Sequence, residues 1–218
     1  MLSADFLIIG AGISGLMCAH ELQKAGFSVQ LVDKGYRSGG RMATRQFQGG
    51  RFDYGAQYFT VRDSRFQKHV DRWLAKGVVK VWFSHLPEDT NLEGHPRYCG
   101  VEGMRSISEY LSDNLNVATD HQVVELVRDT GIWIAKSIRG GSFSGKHLII
   151  TAPLPQALGL LELTGLHYAS DELDALRDVR YEKGLATLLM VDRTISLPEA
   201  GGIKTGGPVL SWLADNTR

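Results

Sequence analysis

The stretch "FLIIGAGISGLMCAHELQKAGFSVQLVDK", residues 6–34, decides the fold. Asp5 to Ile9 reads as a short apolar strand of the kind buried on both faces. Gly10 to Gly15 is a turn. From Leu16 to Ala25 the chain reads as a helix, with Leu16, Ala19, Leu22 and Ala25 on one stripe, and Gly26 closes it. Phe27 to Val32 reads as a second strand that ends at Asp33. Strand, turn, helix and strand follow one another within about thirty residues, the length of one β-α-β unit.

The glycine spacing gives that turn a chemistry. Gly10 permits the sharp exit from the strand, Gly12 lets a pyrophosphate approach the backbone, and Gly15 lets the helix pack closely on the sheet. The helix start offers free N–H groups and a partial positive charge to phosphates, and the Ser14 hydroxyl is a further donor. Asp33 falls about twenty residues on, where an acid accepts hydrogen bonds from ribose hydroxyls and repels a 2′-phosphate. The alternative is a plain β-α-β unit with a solvent-facing aspartate. "SGGRMAT", Ser38–Thr44, follows a few residues later; two glycines allow a second close approach, and Arg41 supplies a fixed guanidinium for phosphate.

Composition narrows the function classes. Lys and Arg number 24 and Asp and Glu 24, so no basic excess speaks for nucleic acid. Cys18 and Cys99 form no CxxC and lie in no metal-ligand spacing, which fits a reducing, cytoplasmic setting and predicts no metal site. The N-terminus lacks the basic region of a signal peptide, and no stretch approaches a membrane span.

Further along, Tyr36 to Gly55 reads as loop and Ser64 to Lys76 as an amphipathic helix capped by Gly77. Val78 to Phe83 reads as strand. Leu86 to Gly100 reads as irregular, broken by Pro87, Gly94 and Pro96. Met104 to Leu115 is a predicted helix. Val117 to Ile150 reads as short strands separated by turns, including Asp129-Thr130-Gly131 and Gly140-Gly141. Glu172 to Arg180 reads as helix, and Leu185 to Val191 and Val209 to Leu213 as strands.

Several blocks together resemble the flavin-containing amine oxidase superfamily, and within it the renalase branch with its bacterial members. They are "GAGISG", "LVDKGYRSGGRMAT", "FDYGAQYFT" (Phe52–Thr60), "PRYCGVEGM" (Pro96–Met104), "HQVVEL" (His121–Leu126), "ITAPLP" (Ile150–Pro155) and "SWLADN" (Ser211–Asn216). The resemblance implies an α/β chain in which a Rossmann-like FAD-binding domain, residues 1–60 and 101–155, is interleaved with a mixed-sheet substrate domain, residues 61–100 and 156–218. It implies noncovalent FAD. The cofactor residues would be Gly10, Gly12, Ile13, Ser14 and Gly15 at the pyrophosphate, and Asp33 and Lys34 on the adenosine side. Gly40, Arg41 and Met42 would lie near the phosphates, and Gln57 and Tyr58 beside the isoalloxazine. Val123 or Val124 would give backbone contacts at the adenine end.

The activity implied is oxidation of the 2- and 6-dihydro isomers of nicotinamide dinucleotides back to NAD(P)+, with molecular oxygen as acceptor and hydrogen peroxide as product. Hydride transfer to a flavin needs positioning rather than a strong acid or base, so no catalytic residue is named. His95, Arg97 and Tyr98 are the substrate candidates, with Trp212 weaker. The alternatives are core packing for Tyr98 and Trp212 and a solvated loop for His95 and Arg97. An amine oxidase is the competing enzyme, and an inactive FAD- or ADP-binding module the competing class. The resemblance also implies a longer chain with a Gly-Asp-Gly segment and a final helix. On that expectation these 218 residues are a fragment, or a shortened protein that keeps the ADP half of the site and associates through exposed faces.

Overall fold

The computed structural model describes residues 3–86, 95–165, 170–193, 195–198 and 200–216. In chain order the first elements are β1 (Ala4–Ile9), α1 (Ile13–Lys24), β2 (Val29–Val32), a 3-10 turn at Gly40–Met42, β3 (Thr44–Phe47), β4 (Gly50–Asp53) and β5 (Phe59–Thr60). α2 (Ser64–Ala75), β6 (Val79–Phe83), β7 (Arg97–Gly100), α3 (Arg105–Ser112) and β8 (Asn116–Ala118) follow. Then come β9 (Val123–Asp129), β10 (Ile132–Ser137), β11 (Ser142–Ile150), α4 (Leu154–Glu162), α5 (Ser170–Arg177), β12 (Gly202–Lys204) and β13 (Trp212–Ala214).

The chain forms two compact units, Met1–Gly40 with Ser108–Leu185, and Arg41–Ile107 with Ala186–Arg218. The expected division differs at each crossing. Residues 41–60 and 101–107 lie in the second unit, where β3 and β4 pair with each other rather than joining the sheet of β1, and residues 156–185 lie in the first.

In the first unit a six-stranded sheet runs in the order β8-β2-β1-β11-β10-β9. β1 lies parallel to both β2 and β11, and β2 is parallel to β8. β11, β10 and β9 form an antiparallel run. Leu7, Ile8 and Ile9 are all buried, as an apolar run in a central parallel strand requires. Leu7, Ile9, Val32, Val123, Leu126 and Ala135 form one core cluster, with Trp133, Leu148 and Ile150 packed on it. α1 buries Gly15, Leu16 and Ala19. The turn expected at Asp129-Thr130-Gly131 joins β9 to β10, with Thr130 and Gly131 both at positive φ (45° and 85°).

In the second unit β5, β7 and β6 make a three-stranded antiparallel sheet. α2 buries Val70 and Trp73, and the Asp63 carboxylate caps its start by accepting from the Arg65 N–H at 2.7 Å. Phe59, Phe66, Trp73 and Tyr98 meet as rings in this core.

Four expectations about local structure are corrected. Tyr36 to Gly55 is not simply a loop: β3 and β4 form a hairpin whose two-residue turn, Gln48-Gly49, has φ of 48° and 82°. That is the geometry a tight hairpin needs, reached through Gln-Gly where Asn-Gly is the usual signal. Leu185 to Val191 is not a strand; a strand needs a neighbour's N–H and C=O groups, and these residues have no ladder partner among those described. The strand expected over Val209 to Leu213 is Trp212–Ala214, paired antiparallel with Gly202–Lys204. Of the segment expected to be irregular, residues 87–94 lie outside the described residues, and Arg97–Gly100 is a strand.

Candidate functional site

The glycine turn separates the roles of its three glycines. Gly10 has φ 111°, and a Cβ on it would stand 2.6 Å from the Thr151 hydroxyl oxygen. A Cβ on Gly15 would run into the Gly10 carbonyl oxygen. Both positions are closed by this chain's own backbone and side chains. Gly12 is different. Its φ of −76° and ψ of 178° suit any residue, and a Cβ there meets no atom within 4 Å. Gly12 is also the N-cap of α1, with no side-chain cap and no acidic residue in the first turn. The helix start thus presents uncapped N–H groups and an uncancelled dipole beside space that a side chain would fill, a cradle suited to an anion. Ser14 is exposed and Ile13 half-buried next to it.

Asp33 does more than wait for a ribose. One carboxylate oxygen accepts from the Ala11 N–H at 2.6 Å and the other from the Gly35 N–H at 2.7 Å. The Gly39 N–H donates to the Ala11 carbonyl at 2.9 Å, and Gly12 pairs with Gly39. The glycine turn and the loop after Asp33 are therefore held as one piece. Each carboxylate oxygen keeps a lone pair for a further donor. Gly40 ends this piece, exposed, and lies against Gly12. Lys34 is exposed and donates to the Gln156 side chain at 2.9 Å.

Residues 118–121 run beside the acid. The Asp33 N–H donates to the Ala118 carbonyl (2.9 Å), that of Asp120 to Gly35 (2.7 Å) and that of His121 to Asp33 (2.9 Å). The His121 ring is fixed by the Ser137 hydroxyl at 3.1 Å and by the edge of Phe143. Two residues on, Val123 is buried at the start of β9 and Val124 is exposed. His121 was not among the sequence candidates; its only signal is its place in "HQVVEL".

In the second unit Arg41 meets the "GAQY" segment. The Ala56 N–H donates to the Arg41 carbonyl at 2.9 Å, and a Cβ on Gly55 would collide with that oxygen. The Arg41 side chain is exposed and, among the described residues, has no hydrogen bond or ion pair, so it is available to a phosphate; Met42 is half-buried. Gln57 is held at both ends of its amide: Nε2 donates to the Asp53 carbonyl (3.1 Å) and Oε1 accepts from the Trp212 indole (2.5 Å). Tyr58 sits edge-on to Trp82, Phe83 and Trp212, with ring centroids 6.2, 5.8 and 6.0 Å away.

Among the described residues the substrate candidates have separate surroundings. Tyr98 is buried, stacked on Phe59 at 5.5 Å, and serves the core. Arg97 donates to the carbonyls of Ser84 (2.6 Å) and His95 (3.2 Å) and lies over the Phe83 ring, so its guanidinium is engaged in tying loop to strand. His95 is exposed. Trp212 belongs to the ring cluster of Tyr58 and holds Gln57.

A buried carboxylate that sequence reasoning missed organises this unit. Asp53 accepts from the Thr44 hydroxyl (2.5 Å) and the Met104 N–H (3.0 Å), while Thr44 Oγ1 accepts from the Arg105 N–H (3.0 Å). The pair satisfies the orphan donors at the start of α3 and ties them to the hairpin. Burial pushes the Asp53 carboxyl above its ordinary range, partly offset by the bonds from Thr44 and Met104. Burial likewise raises the Cys99 thiol. Among the described residues no cluster of His, Cys, Asp and Glu could hold a metal, and no helix is long and apolar enough to cross a membrane.

Residues 8–76 match the family described as NAD(P)-binding Rossmann-like domain. Polyamine oxidase 1 of Oryza sativa subsp. japonica is 47% identical over 55 residues, 24% of this chain and 11% of that protein. An L-amino-acid oxidase of Neurospora crassa is 45% identical over 104 residues, 46% of this chain and 15% of that protein. Among solved structures, a putrescine oxidase triple mutant redesigned in cofactor binding superposes with a TM-score of 0.57 at 13% identity, over 72% of this chain and 59% of that one. A fatty acid isomerase from P. acnes gives 0.60 at 14%, over 81% of this chain and 64% of that one. These structures share the fold. The chain spans only part of the length of every one of these proteins.

Proposed function

We propose that this chain is a member, through its N-terminal dinucleotide-binding segment, of the flavin-dependent amine and amino-acid oxidase superfamily, and that it binds FAD and serves an FAD-dependent oxidoreductase. The observation that carries the reading is Gly12, a glycine that neither its backbone angles nor its neighbours require, placed at an uncapped helix start. Such a position is explained by a ligand that uses the space.

In the first unit the N–H groups at Ile13, Ser14 and Gly15 and the Ser14 hydroxyl would take the pyrophosphate. Asp33 would accept from the ribose, Lys34 would lie on the adenosine side, and the backbone at Val123 or Val124 would meet the adenine. The second unit's Arg41, which has no hydrogen bond or ion pair among the described residues, would offer its guanidinium to a phosphate, with Gly40 and Met42 beside it in sequence. Gln57 and Tyr58 are assigned to the isoalloxazine end; their side chains are already fixed by Asp53, Trp212 and the ring cluster, which is the pre-organisation a cofactor wall needs. When bound, FAD supplies a two-electron acceptor whose reduced form is reoxidised by oxygen to hydrogen peroxide.

For the substrate we propose the renalase-type reaction, in which a 2- or 6-dihydronicotinamide dinucleotide loses a hydride and becomes the aromatic pyridinium of NAD(P)+. The support is the run of renalase-like blocks from "GAGISG" to "SWLADN". A flavin amine oxidase is the second reading, favoured by the similarity to rice polyamine oxidase. The experiment is a visible spectrum of the purified chain before and after FAD addition and desalting, then peroxide assays. Retained flavin with peroxide from dihydronicotinamide isomers supports the first reading, and peroxide from amines alone supports the second. A chain that retains no flavin and does not bind ADP overturns both.

A further inference from the structure

A small cavity in the second unit lies where two ladders face one another. Along β4, Arg51 and Asp53 are two residues apart and share a face; along β6, Lys80 and Trp82 do the same, and Cys99 on β7 pairs directly with Lys80. All five line a cavity of about 40 Å³, with Gln57 and Asn216 closing it. Such a volume exceeds what one water needs and admits a group of about three or four non-hydrogen atoms.

The lining has donors to spare. The Trp82 indole N–H is buried and finds no acceptor among the described residues. Lys80 has no carboxylate or carbonyl partner among them. The Asn216 amide spends its oxygen on the Asp53 N–H, at 2.9 Å, and keeps its own N–H groups. Arg51 is engaged by Glu102 at 2.5 Å but adds positive charge to the same wall. On the acidic side, Asp53 is pushed toward its neutral form by burial and has one oxygen committed to Thr44 and Met104. The Asp215 carboxylate also lines the cavity and already has an interaction of its own. An indole, an ammonium and a primary amide with unspent N–H groups call for an acceptor, and the ammonium favours one that is charged.

We propose that this cavity binds a small oxyanion, a carboxylate group in the first instance. The site depends on the second unit alone and does not rest on flavin binding.

The test is an indole N–H spectrum of the ¹⁵N-labelled chain, with the Trp82 peak assigned through Trp82→Phe. The probes are sodium acetate, inorganic phosphate and methylammonium chloride, against sodium chloride at matched ionic strength. Acetate should move the Trp82 peak saturably in the millimolar range while the Trp133 peak, in the first unit, stays in place. Lys80→Met should weaken that response roughly tenfold, since it removes the ammonium from an exposed strand position. A response to phosphate and not to acetate would assign the same oxyanion site to phosphoryl groups. The proposal is overturned by a Trp82 peak that no oxyanion moves, by an equal response to chloride or methylammonium, or by an acetate response that Lys80→Met leaves unchanged.

Discussion

The glycine turn allows the same substitution to be made at neighbouring positions with opposite expected outcomes. In Gly12→Ala the new methyl meets no protein atom, and φ of −76° is open to alanine. Alanine is a poorer N-cap than glycine by several tenths of a kcal/mol, offset by about 0.4–1 kcal/mol from the stiffer unfolded chain, so stability should stay within about 0.5 kcal/mol. Under the proposed function the same methyl takes the place of a pyrophosphate oxygen. Losing two charge-assisted bonds worth about 1.5 kcal/mol each weakens binding by about 3 kcal/mol, roughly a hundredfold. Gly15→Ala drives its methyl into the Gly10 carbonyl. Overpacking costs about 3 kcal/mol against a helix-propensity gain of about 1, so a net loss of about 2 kcal/mol is expected, or about 4–8 °C in Tm for a chain of this size. The assays are urea unfolding of the chain without ligand and calorimetric titration with ADP. An unaltered ADP affinity in Gly12→Ala would refute the assignment of that space to a phosphate. A loss of stability there as large as in Gly15→Ala would refute the steric reasoning itself.

Asp33→Ala should lose both stability, by about 2–4 kcal/mol in urea unfolding, and ADP binding, because the N–H groups of Ala11 and Gly35 lose their acceptors. Gly55→Ala should destabilise the second unit by about 2 kcal/mol, since the methyl collides with the Arg41 carbonyl; an unchanged urea midpoint would remove that contact from the argument. Asp53 gives a pH signature. Its folded pKa is raised by burial, so the native state holds the proton more tightly than the unfolded chain. Its contribution is fully present below the ordinary aspartate pKa and is lost as pH rises through the raised value. Urea midpoints of wild type minus Asp53→Asn should therefore fall as pH rises from about 4 toward neutrality, and a flat difference would show that the carboxyl titrates normally.

What the sequence disclosed and what it withheld divide along one physical line. The β-α-β unit was legible because its signals are local: an apolar run buried on both faces, a Gly15 forced by the Gly10 carbonyl five residues before it, and a helix closed at Gly26. Asp33 was singled out by its offset, but its bonds to Ala11 and Gly35 were not legible, since they arise from how the loop folds back on the turn. The hairpin of β3 and β4 was hidden because its strands carry no alternation of buried and exposed positions, although Gln48-Gly49 held a weak turn signal. Asp53 was hidden more deeply. Its partners Thr44 and Met104 lie nine and fifty-one residues away, and an aspartate between Phe52 and Tyr54 looks like any surface charge. Leu185 to Val191 shows the converse error: apolar β-formers state a propensity, and a strand exists only where another backbone accepts it. Arg97 and Tyr98 follow the same rule, for a cation beside aromatics reads as a substrate wall until Ser84 and Phe59 claim them. A functional reading of this sequence therefore stands best on a residue that the fold leaves unexplained, and Gly12, whose neighbours leave its space open, is such a residue.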